Sequence, residues 1–454
     1  MTERPTEETR PSAREAIALI ADDFAELPYP MRRSEPDGPL AWHGYDASRA
    51  RAAERTGEEE SVICGHARVG ATPAVLIAFE FGFLGGSLGE RTGDRLESAY
   101  TYARDHRLPV VSLVATGGSR MQEGMRALTQ LQRVARQSAL TREAGLPQIA
   151  VLRDPTTGGG WATLGAGADI ILALPHAQVG FAGSRVRPPD ADPAAYTAES
   201  QVATGAADAV VHPEDLRATL ALWLRLLTTP SPTPAPPPSA LFSFPALPAT
   251  GWEAVTRARS PERPRADTYL DAYFTRRTTI SGDRVGGGTD PGMTCGFGDR
   301  EGRTIAYAAQ RGTPTRPTGY RTAARLIRLA DRLGIPVLTL VDTPGAANDA
   351  EAERQAAGAA IADLFTTVAT AHTPITTLLI GEGGSGGALA LAAPDHTWAT
   401  PDSYFSVIAP ELATAILKRP KTEIHATAAQ LRLRPQDLVD LGVVRGIVDP
   451  SAGA

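Results

Sequence analysis

Four glycine clusters could do chemistry without any reactive side chain: Gly117-Gly118, Gly158-Gly159, Gly383-Gly384 and Gly386-Gly387. Each closes an apolar run opened by a proline. Pro109 opens 110–114, Pro147 opens 148–152, and Pro374 opens 375–380; Pro336 opens 337–341, which ends at Pro344-Gly345. Glycine lets backbone N–H groups approach a ligand closely and aim at one point. Where such a loop also starts a helix, its unpaired amides favour an anion. Two chemistries use this arrangement, phosphate cradling and oxyanion stabilisation. The alternative, that the glycines only permit tight strand-to-helix turns, is weakened by their recurrence. Pro109 and Pro147 lie 38 residues apart, as do Pro336 and Pro374, so the halves repeat at an offset of 227.

The elements that position these glycines read as two copies of one fold. Strands alternate with helices and end in glycine, which indicates an α/β architecture with sites at the strand ends. In the first half, 13–27 reads as a helix with Ile17, Ile20 and Phe24 at helical spacing. Residues 62–83 read as two strands about Gly70-Ala71, and 84–89 as a glycine-rich loop opening a helix through Leu96, Ala99 and Tyr100. A helix over 120–144 follows the first proline-led strand, and a strand pair is expected at 170–173 and 179–182. The second half repeats this with a strand at 302–309, helices at 320–333 and 351–371, and a strand at 404–408. Residues 205–211 and 442–448 echo each other as terminal strands. Between the halves, 229–250 carries Pro230, Pro232, Pro234, Pro236, Pro237, Pro238, Pro245 and Pro248, a density that forbids helix and marks an extended linker. Gly286-Gly287-Gly288 reads as a loop. The expected organisation is a polar extension with a helix over 1–38, a domain at 39–228, the linker at 229–250 and a second domain at 251–454.

Composition sets the outer limits. A chain of 454 residues can bury two cores, and 42% hydrophobic with 21% charged residues is ordinary for a soluble globular protein. A net charge of −6 offers no case for nucleic acid, and no apolar stretch reaches the ~20 residues that span a membrane. Residues 1–14 lack the apolar core of a signal peptide, so a cytoplasmic location is expected. Cys64 and Cys295 are too few for a disulfide framework or a zinc ribbon. With 8 histidines and no pairing at metal-ligand spacing, no metal is expected, and His106, His176 and His372 read as core or surface residues. There is no HExxH, no Gly-x-Ser-x-Gly and no phosphate loop ending in Gly-Lys. Lysine occurs only at Lys418 and Lys421, leaving almost none to carry a covalent cofactor.

Longer motifs carry a resemblance. Glu80-Phe81-Gly82-Phe83-Leu84-Gly85-Gly86-Ser87-Leu88-Gly89, Gly117-Gly118-Ser119-Arg120-Met121-Gln122-Glu123-Gly124, Asp154-Pro155-Thr156-Thr157-Gly158-Gly159 and Gly180-Phe181-Ala182-Gly183 resemble the β subunit of the acetyl-CoA carboxylase carboxyltransferase. Gly319-Tyr320-Arg321, Asp342-Thr343-Pro344-Gly345-Ala346, Gly381-Glu382-Gly383-Gly384-Ser385-Gly386-Gly387-Ala388 and Ser406-Val407-Ile408-Ala409-Pro410-Glu411 resemble its α subunit. The likeness runs from about Pro39 to Pro450, in the order of a fused β–α chain.

This resemblance implies two tandem crotonase-like (ββα spiral) domains related by internal duplication. It also implies a reaction in which carboxybiotin on a separate carrier protein gives up CO2, the biotin anion left behind takes a proton from the α-carbon of an acyl-CoA, and the thioester enolate attacks CO2. Both partners build negative charge on a carbonyl oxygen. Gly158 and Gly159, with Gly117 and Gly118, would hold the enolate; Gly383, Gly384, Gly386 and Gly387 would hold the ureido oxygen of biotin. Gly85, Gly86, Phe181, Ala182, Gly183 and Ala388 would line the substrate path, and Arg120 either contacts ligand or is structural. The implied partners are a biotin carboxyl carrier protein, a biotin carboxylase and a second copy of the chain, in a homodimer or higher homo-oligomer.

Three departures leave other readings open. The four-cysteine zinc ribbon usual in the β subunit is missing. The second half has lost its basic loop between Gln310-Arg311-Gly312 and Pro317-Thr318-Gly319-Tyr320, and lacks a glycine-rich stretch after Ala346. The first half trims the segment after Arg185 and has Ser184 where proline is usual. A biotin-independent malonyl-thioester decarboxylase would need only the first oxyanion hole. A non-catalytic carboxylase scaffold would need neither.

Overall fold

Two eight-stranded sheets with the same strand connectivity organise the chain, as described by a computed structural model over residues 10–30, 32, 35–242, 244 and 246–450. They belong to two compact units, residues 1–228 and 229–454. In the first unit the strands are β1 (Asp22–Glu26), β2 (Val62–Val69), β3 (Thr72–Phe79), β4 (Val110–Thr116), β5 (Gln148–Thr157), β6 (Ile170–Ala173), β7 (Val179–Gly180) and β8 (Ala209–Val210). The order is β1-β2-β3-β4-β5-β6-β8, with β7 added to β5. β2 and β3 form an antiparallel hairpin, Val62 facing Phe79, and β3 to β6 run parallel. A parallel sheet is covered on both faces, so its strands must be apolar throughout; 110–116 is buried at every position. β5 is long enough to serve two neighbours: Ile149 to Leu152 pair with β6, then Thr156 and Thr157 with β7.

The second unit repeats this with β9 (Arg276–Ile280), β10 (Met293–Arg300), β11 (Arg303–Gln310), β12 (Val337–Thr343), β13 (Ile375–Gly384), β14 (Thr397–Ala399), β15 (Tyr404–Ser406) and β16 (Gly446–Ile447). Their order is β9-β10-β11-β12-β13-β14-β16, with β15 on β13. Cys64 and Cys295 occupy matching places, facing Ile77 across the first hairpin and Ala308 across the second.

Three local expectations are corrected. The helix expected over 13–27 stops at Ile20, and 22–26 joins the sheet beside β2. The Phe24 ring lies where Gly65 has no side chain, so a cross-strand contact overrides the helical spacing. The strands near 170 and 179 do not pair with each other; both lie alongside β5. The helix expected over 351–371 breaks into Ala350–Arg354 and Ala357–Thr370 at Ala356, whose φ is +59°. Among the described residues no helix is long and apolar enough to cross a membrane.

Candidate active site

β4 delivers the first glycine pair. Past Thr116 the chain turns, and the loop holding Leu84–Gly86 lies against it. The Gly117 N–H donates to the Gly85 carbonyl (2.9 Å), the Leu88 N–H to the Gly118 carbonyl (2.9 Å), and the Arg120 N–H back to the Leu88 carbonyl (2.9 Å). Gly118 has φ +108°, and its N–H donates to the Thr116 Oγ1 at 3.0 Å.

β5 delivers the second pair. Its end passes into a helical turn, Gly158–Gly160, which continues as a π-helical segment, Trp161–Gly165; such segments gather at functional sites. The Gly158 N–H is committed to the Phe181 carbonyl at 3.0 Å. Gly159, second in the turn, has no acceptor for its N–H within the helix. Of the four amides expected to hold an enolate, three are thus engaged inside the protein, and that of Gly159 has no acceptor among the described residues. Phe181 is 75% exposed beside this turn. The Ala182 carbonyl accepts from the Arg187 Nε (3.0 Å), and Gly183 passes next to Thr157.

The second unit repeats the arrangement at the same offset. The Gly345 N–H donates to the Thr343 Oγ1 at 3.2 Å, as Gly118 does to Thr116. Ser385 opens the helix Ser385–Leu389 with φ +56°, close to the +64° of Gly158. Gly386 then stands where Gly159 does, Gly387 where Gly160 does, and the buried Ala388 where Trp161 does. Gly383 and Gly384 are placed differently from the expectation: both lie inside β13, opposite Phe405 and Ser406, at the positions of Thr156 and Thr157. The amides at the opening of this turn are those of Gly386 and Gly387. The Gly387 carbonyl is fixed by the Tyr320 hydroxyl (3.0 Å) and the Gln310 Nε2 (3.2 Å). Gly345 is a site residue the sequence reading passed over, although the offset of 227 from Gly118 points to it.

Arg120 does not face a ligand. It is 1% exposed and ion-paired to Glu60 (3.1 Å from Nη1 to Oε2), with Glu123 at 3.4 Å. It also donates to the Ser87 carbonyl at 2.7 Å and so pins the glycine loop. Burial pushes the Glu60 carboxyl up, but the charge and hydrogen bonds of Arg120 outweigh that and hold it at about 2. The second unit has a buried ion pair of its own: Asp342, wholly buried, accepts from Arg263 at 2.6 Å. Glu382, next to Gly383, accepts from the Arg259 Nε (2.8 Å) and the Tyr404 hydroxyl (2.8 Å). Arg259 reaches on to Glu411, so β13 is tied to the helix Pro410–Ile416.

Each unit therefore presents a notch of backbone amides at the ends of two parallel strands, able to hold an oxygen on which charge builds. Among the described residues no three His, Cys, Asp or Glu gather as metal ligands.

Comparison with known proteins gives the same division. Residues 41–201 match the family described as carboxyl transferase domain, and 247–454 the family described as acetyl co-enzyme A carboxylase carboxyltransferase-like. The acetyl-coenzyme A carboxylase carboxyl transferase subunits beta/alpha of Salinispora arenicola is 38% identical over 98% of this chain and 82% of its own length. The probable biotin-dependent acyl-coenzyme A carboxylase beta3 subunit of Mycobacterium tuberculosis is 33% identical over 91% and 85%. Among solved structures, the transcarboxylase 12S hexamer, with methylmalonyl-coenzyme A and methylmalonic acid bound, superimposes with a TM-score of 0.79 at 19% identity, covering 97% of this chain and 87% of that one.

Proposed function

The chain belongs to the carboxyltransferases of biotin-dependent acyl-CoA carboxylases, as a fused β/α chain with two crotonase-like domains, and from that membership we propose that it carboxylates the α-carbon of acetyl-CoA or a related short acyl-CoA. The observation that carries this reading is the pair of matched amide notches, Gly118 with Gly159 and Gly345 with Gly386. Carboxybiotin, presented on a carrier protein, would supply the CO2, and the biotin anion left by its loss would accept the proton.

The rest is done by this chain's backbone. In the first unit the Gly159 N–H, joined by that of Gly118 as it leaves the Thr116 hydroxyl, holds the thioester oxygen while the α-proton departs and the enolate forms. In the second unit the Gly386 N–H, second in its helical turn like that of Gly159 and so without an acceptor inside the helix, would hold the ureido oxygen. A preorganised donor of this kind contributes on the order of 3 kcal/mol to the transition state. No nucleophilic side chain is required. The partners under this reading are a biotin carboxyl carrier protein, a separate biotin carboxylase and further copies of the chain.

Malonyl-CoA given to the purified protein with and without biocytin tests the proposal, with acetyl-CoA release as the readout. Release that depends on biocytin is expected. Release without it would make the protein a decarboxylase, and the second notch would then have no part in turnover.

A further inference from the structure

The helical turn of the second notch is held by side chains that the first lacks. The helix Ser385–Leu389 stops after 5 residues. The Ala390 N–H serves the Gly386 carbonyl at 2.9 Å, but the Leu391 N–H turns to Ala388 at 3.2 Å and leaves the Gly387 carbonyl with no main-chain donor among the described residues. Two side chains take it up: the Tyr320 hydroxyl (3.0 Å) from the helix Pro317–Leu333, and the Gln310 Nε2 (3.2 Å) from the end of β11. Both peptide planes that flank Gly387 are thereby fixed.

The same side chains reach the other half of the notch. The Gln310 Nε2 also donates to the Thr315 Oγ1 at 3.2 Å, and the Thr315 hydroxyl faces the Thr343 Oγ1 at 3.5 Å. Thr343 Oγ1 is the acceptor for the Gly345 N–H. The Thr315 main chain brackets that loop as well, its N–H donating to the Gly345 carbonyl (3.1 Å) and its carbonyl accepting from the Ala347 N–H (2.9 Å). Tyr320, Gln310, Thr315 and Thr343 are all wholly buried. A continuous polar path therefore runs from Gly387, past the end of β13, to Gly345, past the end of β12. In a dry interior such a network holds one arrangement for as long as its members keep their partners.

Three observations tie this clasp to the site. A Cβ on Gly387 would strike both the Tyr320 hydroxyl and the Ala346 nitrogen, so glycine is what lets the clasp and the β12 loop close on one turn. The Gln310 Oε1 is buried without a partner among the described residues, an unfavourable arrangement that a residue kept for packing alone would avoid. The first unit has no equivalent. At the offset of 227 Tyr320 falls on Gly93, and the turn Gly158–Gly160 runs straight on into Trp161–Gly165.

We infer that Tyr320 and Gln310 are positioning residues for the second notch: through the Gly387 carbonyl and the Thr315–Thr343 pair they set the separation of the Gly345 and Gly386 amides. Neither side chain touches a substrate. The inference rests on the carboxyltransferase reading above.

Tyr320→Phe, Gln310→Met and the double variant, each in the full-length protein, test it with two readouts. Tyr307→Phe is the control, since it removes a hydroxyl that serves the Thr278 carbonyl (3.2 Å) in the same unit and not the notch. The first readout is amide hydrogen exchange of the peptide 381–391, followed by mass spectrometry with no substrate present. The second is biocytin-dependent release of acetyl-CoA from malonyl-CoA. Exchange across 381–391 should quicken about tenfold or more in Tyr320→Phe and keep the wild-type rate in Tyr307→Phe. The kcat should fall about tenfold in Tyr320→Phe and in Gln310→Met, with KM for malonyl-CoA and for biocytin within about twofold of wild type. The double variant should lose less than the product of the single losses, because both side chains act on one carbonyl. Unchanged exchange in folded Tyr320→Phe, or a kcat that falls no further than in Tyr307→Phe, overturns the proposal. Faster exchange in Tyr320→Phe, in a protein whose wild type shows no biocytin-dependent release, would uphold the clasp and sink the carboxyltransferase reading.

Discussion

Gly118 and Gly158 meet backbone to backbone: a Cβ on Gly158 would stand 3.0 Å from the Gly118 Cα, and Gly158 holds φ +64°. The ends of β4 and β5 are thereby brought together with no side chain between them, and the Gly159 amide opens beside this contact. Gly158→Ala should shift that amide and strain the turn. Stability should fall by about 1 kcal/mol or more. The kcat of malonyl-CoA turnover should fall by on the order of 10²- to 10³-fold. A kcat within twofold of wild type would show that these amides do not hold the reacting oxygen.

Arg120 and Glu60 form a buried pair under the same loop. Arg120→Met leaves the Glu60 carboxylate buried and uncompensated, a loss of about 3–5 kcal/mol, read as a lower denaturant midpoint. The pH dependence has a definite sign. The folded carboxyl is held at about 2 against 4.5 when unfolded, so the pair's contribution is full above pH 4.5 and fades as pH falls toward 2. Stability measured across that window should drop more steeply in wild type than in Arg120→Met. Parallel curves would mean that Glu60 titrates normally.

Much of the fold was legible in the chain because each proline-opened apolar run is a strand buried on both faces and ended by a small residue. The repeated spacing then revealed the duplication. What escaped needed a partner distant in sequence. Phe24 reads as helical until Gly65 receives its ring across the sheet. Arg120, inside a glycine motif, reads equally as a ligand contact or a structural residue until Glu60, 60 residues earlier, is seen to pair with it. Between Gly381 and Gly387 glycine is too dense for composition to separate strand from turn. Register does so, because Gly383 pairs with Thr343 in the sheet while Gly386 falls one place into the helix. The engaged amides of Gly117 and Gly158 could not be seen at all, since each depends on a carbonyl supplied by a different loop.

The matched cysteines should be chemically silent. Burial pushes the Cys64 thiol up to about 12 and raises that of Cys295 as well, and the thiolate is the reactive form. At pH 8 a chromogenic disulfide reagent should find no thiol in the native protein and both after unfolding in guanidinium chloride. Iodoacetamide should leave turnover intact. Labelling of either thiol at a rate faster than unfolding would contradict their burial.

Gly386 separates the two notches experimentally. A Cβ at Gly159 would strike Leu131, so Gly159→Ala disturbs packing as well as the amide. At Gly386 a Cβ meets nothing within 4 Å, and the backbone angle is one that alanine accepts. Alanine is also the better helix former by about 1 kcal/mol. Gly386→Ala should therefore fold with an unchanged or slightly higher melting temperature and bind acyl-CoA as before. Its new methyl group is carried by the residue whose amide is assigned the ureido oxygen, so biocytin-dependent release of acetyl-CoA should fall at least about tenfold, the loss of one half-blocked donor. An unchanged biocytin-dependent rate in a folded Gly386→Ala protein would remove the second notch from the reaction. The fall, with acyl-CoA binding intact, would place the two substrates on separate halves of the duplication.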